Sequence, residues 1–169
     1  DKDGLAHLLE ALSEAVPEVP WIRLMYAYPG KVTPKLAETM SILPNIVPYV
    51  DMPLQHGSDA TLRRMKRPSL RKANQSLELL TNAMPEIALR TTFIVGFPGE
   101  TESEFLELLD FIKEWKFDHI GAFSYSPQGG TPAFEHEGSV DSAVVADRFS
   151  RLMTLAQDIS SSRTKDLVG

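Results

Sequence analysis

The sequence predicts an α/β fold built on a parallel sheet. Three observations carry that prediction. Apolar strand-like runs alternate with amphipathic helical runs in the order helix, then strand–helix four times, which demands crossover connections and so parallel strands. The strand runs end in clusters of Gly, Pro and polar residues, where ligands bind in parallel α/β folds. At 169 residues the chain holds one domain with a real core. It is too short for an eight-unit barrel of about 250 residues. A small doubly wound domain and part of a barrel both satisfy these facts.

Each element follows from local pattern. Leu5, Leu8, Leu9 and Leu12 recur at helical spacing, so residues 4–16 read as an amphipathic helix ended by Pro17 and Pro20. Residues 21–28, WIRLMYAY, read as a strand. Thr33 caps a helix with Pro34 at its first position, and Pro44 closes it. Residues 46–56 read as a second strand despite two prolines. Ser58 or Asp59 caps a short helix, and Ser69 opens a longer one carrying Leu70, Ala73, Leu77 and Leu80. Residues 86–97 form the next strand. Helix 102–116 turns Phe105, Leu108, Leu109, Ile112 and Trp115 inward, and Thr101 with Glu104 spells a capping box. Residues 117–125 make the last strand. The Gly-rich stretch PQGGTPAF leads to a helix near 141–162, apolar at Val145, Phe149, Leu152, Ala156 and Ile159. No internal repeat, low-complexity segment or linker interrupts this order, so residues 1–169 read as a single domain.

Composition narrows the function classes. The formal net charge is −6, which argues against a protein that coats nucleic acid. No run of about 18 apolar residues exists, so no membrane span is expected; no signal peptide opens the chain. With no cysteine, the chain has no disulfide, no thiolate zinc site and no cysteine-ligated iron–sulfur cluster of its own. The absence of disulfide chemistry fits the cytoplasm.

The stretch LRTTFIVGFPGETESEF, residues 89–105, carries the most chemistry. Strand parity puts Arg90, Thr92, Ile94 and Gly96 on one face. Buried parallel strands are usually apolar on both faces, so this mixed face suits a lined cavity. Gly96 permits close approach to the backbone. The turn lacks the GxxxxGK[ST] pattern, and Glu100, Glu102 and Glu104 would repel a phosphate while suiting the helix dipole. A ligand without phosphate, carrying an ammonium or sulfonium, fits better. Parity also groups Arg23 with Met25 and Asp51 with Gln55, so that Arg23 and Asp51 are candidates for a buried ion pair. His56 at a strand end reads first as a turn residue, and no histidine spacing suggests a metal. The run RRMKRPSLRK, residues 63–72, reads either as a solvated face or as a docking surface.

Three blocks make the chain resemble a known family. YVDMPLQHGSDATLRRMKRP, LRTTFIVGFPGETESEF and FDHIGAFSYSPQGGTPAF together look like the radical S-adenosylmethionine methylthiotransferases, across nearly the whole chain. RLMYAYP and DMPLQHGS are similar to the branch that modifies an aspartate of a small-subunit ribosomal protein; the tRNA-modifying branch typically has serine where His56 stands. The resemblance implies a fragment of a six-unit partial (β/α) barrel: four parallel strands with flanking helices. The amino-terminal cluster domain, the CxxxCxxC region and the carboxy-terminal RNA-binding-like domain lie outside residues 1–169.

The implied cofactors are S-adenosylmethionine and two [4Fe–4S] clusters, ligated by cysteines outside this chain. The implied chemistry is cleavage of S-adenosylmethionine to a 5′-deoxyadenosyl radical, hydrogen abstraction from the substrate, and delivery of a methylthio group. Ile94 would meet the adenine, with Gly96 allowing close approach. Gln55, His56, Arg90 and Thr92 would supply polar contacts, Arg90 gripping the cofactor's carboxylate. Phe97, Phe123 and Tyr125 complete the cofactor set. Arg63, Arg64, Lys66 and Arg67 would dock the substrate, a small-subunit ribosomal protein, with RNA contacted through the missing domain. The chain alone would be inactive. The alternatives are a tRNA-modifying enzyme of the same family and a non-catalytic binding module of that ancestry.

Overall fold

The computed structural model describes residues 2–136 and 138–168; the Asp1 start and the Gly169 end lie outside them. The elements are α1 (Gly4–Ala15), β1 (Ile22–Leu24), α2 (Pro34–Ile42), β2 (Ile46–Asp51), α3 (Asp59–Arg64), α4 (Leu70–Ala83), β3 (Ala88–Val95), α5 (Glu102–Trp115), β4 (His119–Ser124), a 3-10 turn (Pro132–Glu135) and α6 (Ser142–Val168). β1 and β2 run parallel, and so do β3 and β4, as the alternation predicts. The chain divides into two compact units: residues 1–53 with 71–89, and residues 54–70 with 90–169.

In the first unit β1 pairs with β2, Ile22 opposite Ile46 and Leu24 opposite Val50. Leu9, Leu36, Met40, Val50 and Leu80 are buried there. The Thr33 hydroxyl accepts the Leu36 N–H at 3.1 Å, so the predicted cap forms and Pro34 occupies the first turn. The Ser13 hydroxyl donates to Asn45 Oδ1 at 2.5 Å, joining the buried face of α1 to the turn before β2. Strand β1 stops well short of the predicted residue 28, because Tyr26 turns to a left-handed φ of 59° that no strand continues. The Arg23 guanidinium is exposed and lies over the Tyr49 ring at 4.4 Å, where a cation–π contact holds it; Asp51 is buried.

The second unit pairs β3 with β4 in register from Arg90–His119 to Val95–Ser124. Its core forms on the alternate face of β3: Phe93 meets Phe111 and Phe117 edge-on, with ring centroids 6.5 and 6.0 Å apart. Phe105, Leu108 and Ile112 of α5 are fully buried, whereas Trp115, expected inward, is only half-buried at the last turn. Gly57 lets its segment lie directly on α5: a Cβ there would come within 2.8 Å of the Leu108 Cα. The capping box of Thr101 and Glu104 is present in full. Ser58 stands at the cap position of α3 without a side-chain bond, while Asp59 accepts the Leu70 N–H at 2.7 Å instead. The last helix runs to Val168 rather than 162.

Candidate cofactor groove

Burial along β3 alternates strictly. Leu89, Thr91, Phe93 and Val95 are buried, while Arg90 is exposed and Thr92 and Ile94 are half-open. The face predicted by parity is thus the open one. Register continues it onto β4, with Thr92 beside Gly121 and Ile94 beside Phe123, a residue 63 % exposed. Gln55 extends the same surface. It bridges to Phe93, donating its N–H to the Thr92 carbonyl and accepting the Ile94 N–H, each at 2.9 Å. These two bonds hold Gln55 at a left-handed φ of 74°, costly for a residue other than glycine.

A groove of about 220 Å³ opens on this surface. Met65, Ile94 and Phe97 line it with apolar surface, Gln55 with an amide, and Arg64, Lys66 and Arg67 with positive charge. The structure therefore gathers Gln55, Ile94 and Phe97 of the cofactor set with three of the four basic residues. Gly96 and Tyr125 instead line a second cavity of about 480 Å³ beside Val145 and Ala146 of α6. Phe97 and Tyr125 meet edge-on at 5.2 Å. What closely approaches Gly96 is Val145: a Cβ at residue 96 would sit 2.5 Å from its side chain. Arg63 is exposed and lines neither cavity. Arg90 does not line the groove: it lies four residues, roughly 13 Å of strand, before Ile94, which does.

His56 lies behind the groove, fully buried. Its Nδ1 accepts the Ser58 N–H at 3.0 Å, so the proton of the neutral ring sits on Nε2. Nε2 faces Glu100 Oε2 at 3.3 Å, a close electrostatic contact without good hydrogen-bond alignment. Glu100, read from sequence as an acid suited to the helix dipole, has a wholly buried side chain. Its Oε2 accepts the Gly96 N–H at 3.0 Å, and its Oε1 takes Arg148 Nη1 at 2.7 Å. Arg148, on α6, is itself buried and also donates to the Glu100 carbonyl at 3.1 Å. Sequence reasoning passed over Arg148, although a signal existed: it falls three residues after Val145 and four before Leu152, on the apolar stripe of α6.

Residues 1–112 match the radical SAM superfamily. The chain belongs to the radical SAM superfamily. Across 99 % of its length it is 50 % identical to the ribosomal protein uS12 methylthiotransferase RimO of Herpetosiphon aurantiacus, and across 98 % it is 47 % identical to that of Synechocystis. It spans 36 % and 37 % of those two relatives, about a third of their length. Among solved structures, the radical SAM enzyme coproporphyrinogen III oxidase (HemN) of Escherichia coli superposes with a TM-score of 0.73 over 94 % of this chain and 37 % of that one. At 14 % identity this likeness speaks for the fold alone.

Within this radical SAM chain the basic run divides. Arg63, Lys66 and Arg67 are exposed, whereas Arg64 is half-buried. Its guanidinium grips Glu104 with two parallel bonds, Nη2 to Oε2 at 2.6 Å and Nη1 to Oε1 at 3.1 Å. Burial pushes the Glu104 carboxyl up, yet Arg64 and the Thr101 N–H outweigh it and hold the group below its ordinary value. Among the described residues no three acidic or histidine side chains converge to hold a metal, and no helix is long and apolar enough to cross a membrane.

Proposed function

We propose that this chain forms the cofactor groove and part of the substrate surface of a radical S-adenosylmethionine methylthiotransferase acting on an aspartate of a small-subunit ribosomal protein in the cytoplasm. One observation carries the reading: a single groove unites Gln55 of the PLQHGSD block with Ile94 and Phe97 of the IVGFPGE block, 39 residues further along at Ile94. The high identity to uS12 methylthiotransferases over nearly the whole chain supports the reaction class.

The residues present suit the nucleoside half of the cofactor. Ile94, Phe97 and Met65 offer apolar surface to a purine, and the Gln55 amide offers a donor and an acceptor to its edge. Thr92 and Phe123 extend the same open face of the sheet. No phosphate site is needed, and none of the Glu100–Glu104 carboxylates faces this groove as a lining residue. When bound, S-adenosylmethionine supplies a source of the adenosyl radical. This chain's part is to orient it and keep the nucleoside against an apolar wall. With no cysteine here, two [4Fe–4S] clusters would be held by residues of a longer protein, in a cluster domain and a CxxxCxxC region before this one. Lys66 and Arg67, exposed at the groove's edge, would draw in a carboxylate-bearing substrate segment.

The test is a titration of the isotopically labelled chain with S-adenosylhomocysteine, followed by backbone amide resonances. Shifts should cluster at Gln55, Ile94 and Phe97. Gln55→Ala should weaken binding about 3- to 10-fold, the scale of one hydrogen bond, and Arg90→Lys should leave it within about twofold. Shifts confined to residues outside the groove would overturn the reading.

A further inference from the structure

We infer that His56, Glu100 and Arg148 form a buried brace that sets the geometry of both walls of the groove from behind. This rests on the functional reading above for its purpose, though not for its existence. None of the three residues lines the groove. His56 follows Gln55 in the chain, Glu100 binds the residue before Phe97, and Arg148 acts through Glu100.

The brace has one carboxylate at its centre. Glu100 Oε2 holds the N–H of Gly96, the left-handed residue (φ 77°) that turns the chain into Phe97. The same oxygen faces His56, the residue after Gln55. Glu100 Oε1 and the Glu100 carbonyl are both taken by Arg148 Nη1. The turn after β3, the turn after the Gln55 bridge and helix α6 therefore meet at a single side chain. Phe97 and Gln55, the two groove residues concerned, lie one position from Gly96 and His56 respectively.

Cost argues that the arrangement serves position rather than stability. A buried carboxylate and guanidinium lose their hydration, and their mutual attraction seldom exceeds that loss, so apolar replacements of such pairs are often neutral or stabilising. A hydrophobic patch would pack α6 as well, but it has no acceptor for the Gly96 N–H and no direction. A carboxylate fixed by Arg148 aims one lone pair at Gly96 and presents the other side to His56, whose tautomer is already set by Ser58. His56, Glu100 and Arg148 are positioning residues; none reaches the groove itself.

The experiment uses the full 169-residue chain, with hydrogen exchange read amide by amide. Glu100→Gln and Arg148→Met should speed exchange of the Gly96 N–H by at least about tenfold and move the amide resonances of Gln55 and Phe97, while Leu108 and Ile112 in α5 keep their protection. Arg148→Lys keeps a charge on a single donor nitrogen and should retain part of the Gly96 protection. It also serves if Arg148→Met fails to fold. Unchanged Gly96 exchange in Glu100→Gln, or equal acceleration at every protected amide, would overturn the brace. In the same samples S-adenosylhomocysteine should bind the Glu100→Gln variant about tenfold more weakly than wild type; an affinity within twofold would refute the positioning role. Failure of the wild-type chain to bind this probe would count against the functional reading, and the exchange data would still decide the brace.

Discussion

Glu104 shows how one side chain sets the stability of a junction. It completes the capping box at the start of α5 and takes the Arg64 fork from the end of α3. Its folded pKa is lowered, because the Arg64 guanidinium and the Thr101 N–H together exceed the opposing effect of burial. A lowered carboxylate contributes stability above its unfolded pKa of about 4.3 and loses it as pH falls through the folded value. Thermal melts from pH 7 to pH 3 should show wild type losing stability below about pH 4.3. Glu104→Gln should begin roughly 1.5–3 kcal/mol less stable at pH 7 and fall less steeply in that acid window. Parallel acid slopes for the two proteins would refute this. Glu102 is also held low, chiefly by Arg151, but it is half exposed, so solvent screening leaves it a small share of the acid response.

At the scale of elements, the decisive contact is the bare backbone of Gly57 on α5. There is no room for a methyl group, since a Cβ would press on the Leu108 Cα at 2.8 Å and the Phe111 Cβ at 2.9 Å. Backbone cannot swing aside as a flexible side chain can. Gly57→Ala should therefore cost about 1–3 kcal/mol, the usual range for overpacking, measured by denaturant unfolding. A loss under about 0.5 kcal/mol, the scale of an ordinary surface change, would mean α5 shifts freely. His56 and Ser58 flank Gly57, so this close approach also registers the segment that carries Gln55 into the groove.

For the whole molecule the governing fact is the absence of cysteine from these 169 residues. Radical SAM chemistry needs an iron–sulfur cluster, and cluster iron needs thiolates. The chain contains none. After anaerobic reconstitution with iron and sulfide, the chain should hold no stoichiometric cluster and form no 5′-deoxyadenosine. Four irons per chain with turnover would overturn this expectation. The groove is a different matter, because every residue that lines it belongs to one compact unit, residues 54–70 with 90–169.

What the sequence determined by itself is what short-range pattern encodes. Alternating period-two and period-3.6 runs foretold parallel strands and their helices, Thr33 and Thr101 foretold two caps, and parity foretold the open face of Thr92 and Ile94. The three family-like blocks pointed to nine cofactor residues, of which Gln55, Ile94 and Phe97 line the groove. Only the tertiary structure decided which polar residues turn inward. Glu100 and Arg148 stand 48 positions apart, and nothing local distinguishes a buried glutamate from the exposed acids beside it. The same holds for Arg64, which folding removed from its basic run, and for Gly96, whose close neighbour proved to be Val145. A charge is buried only where a distant partner offsets its lost hydration, and that partner is chosen by packing, not by neighbours in the chain.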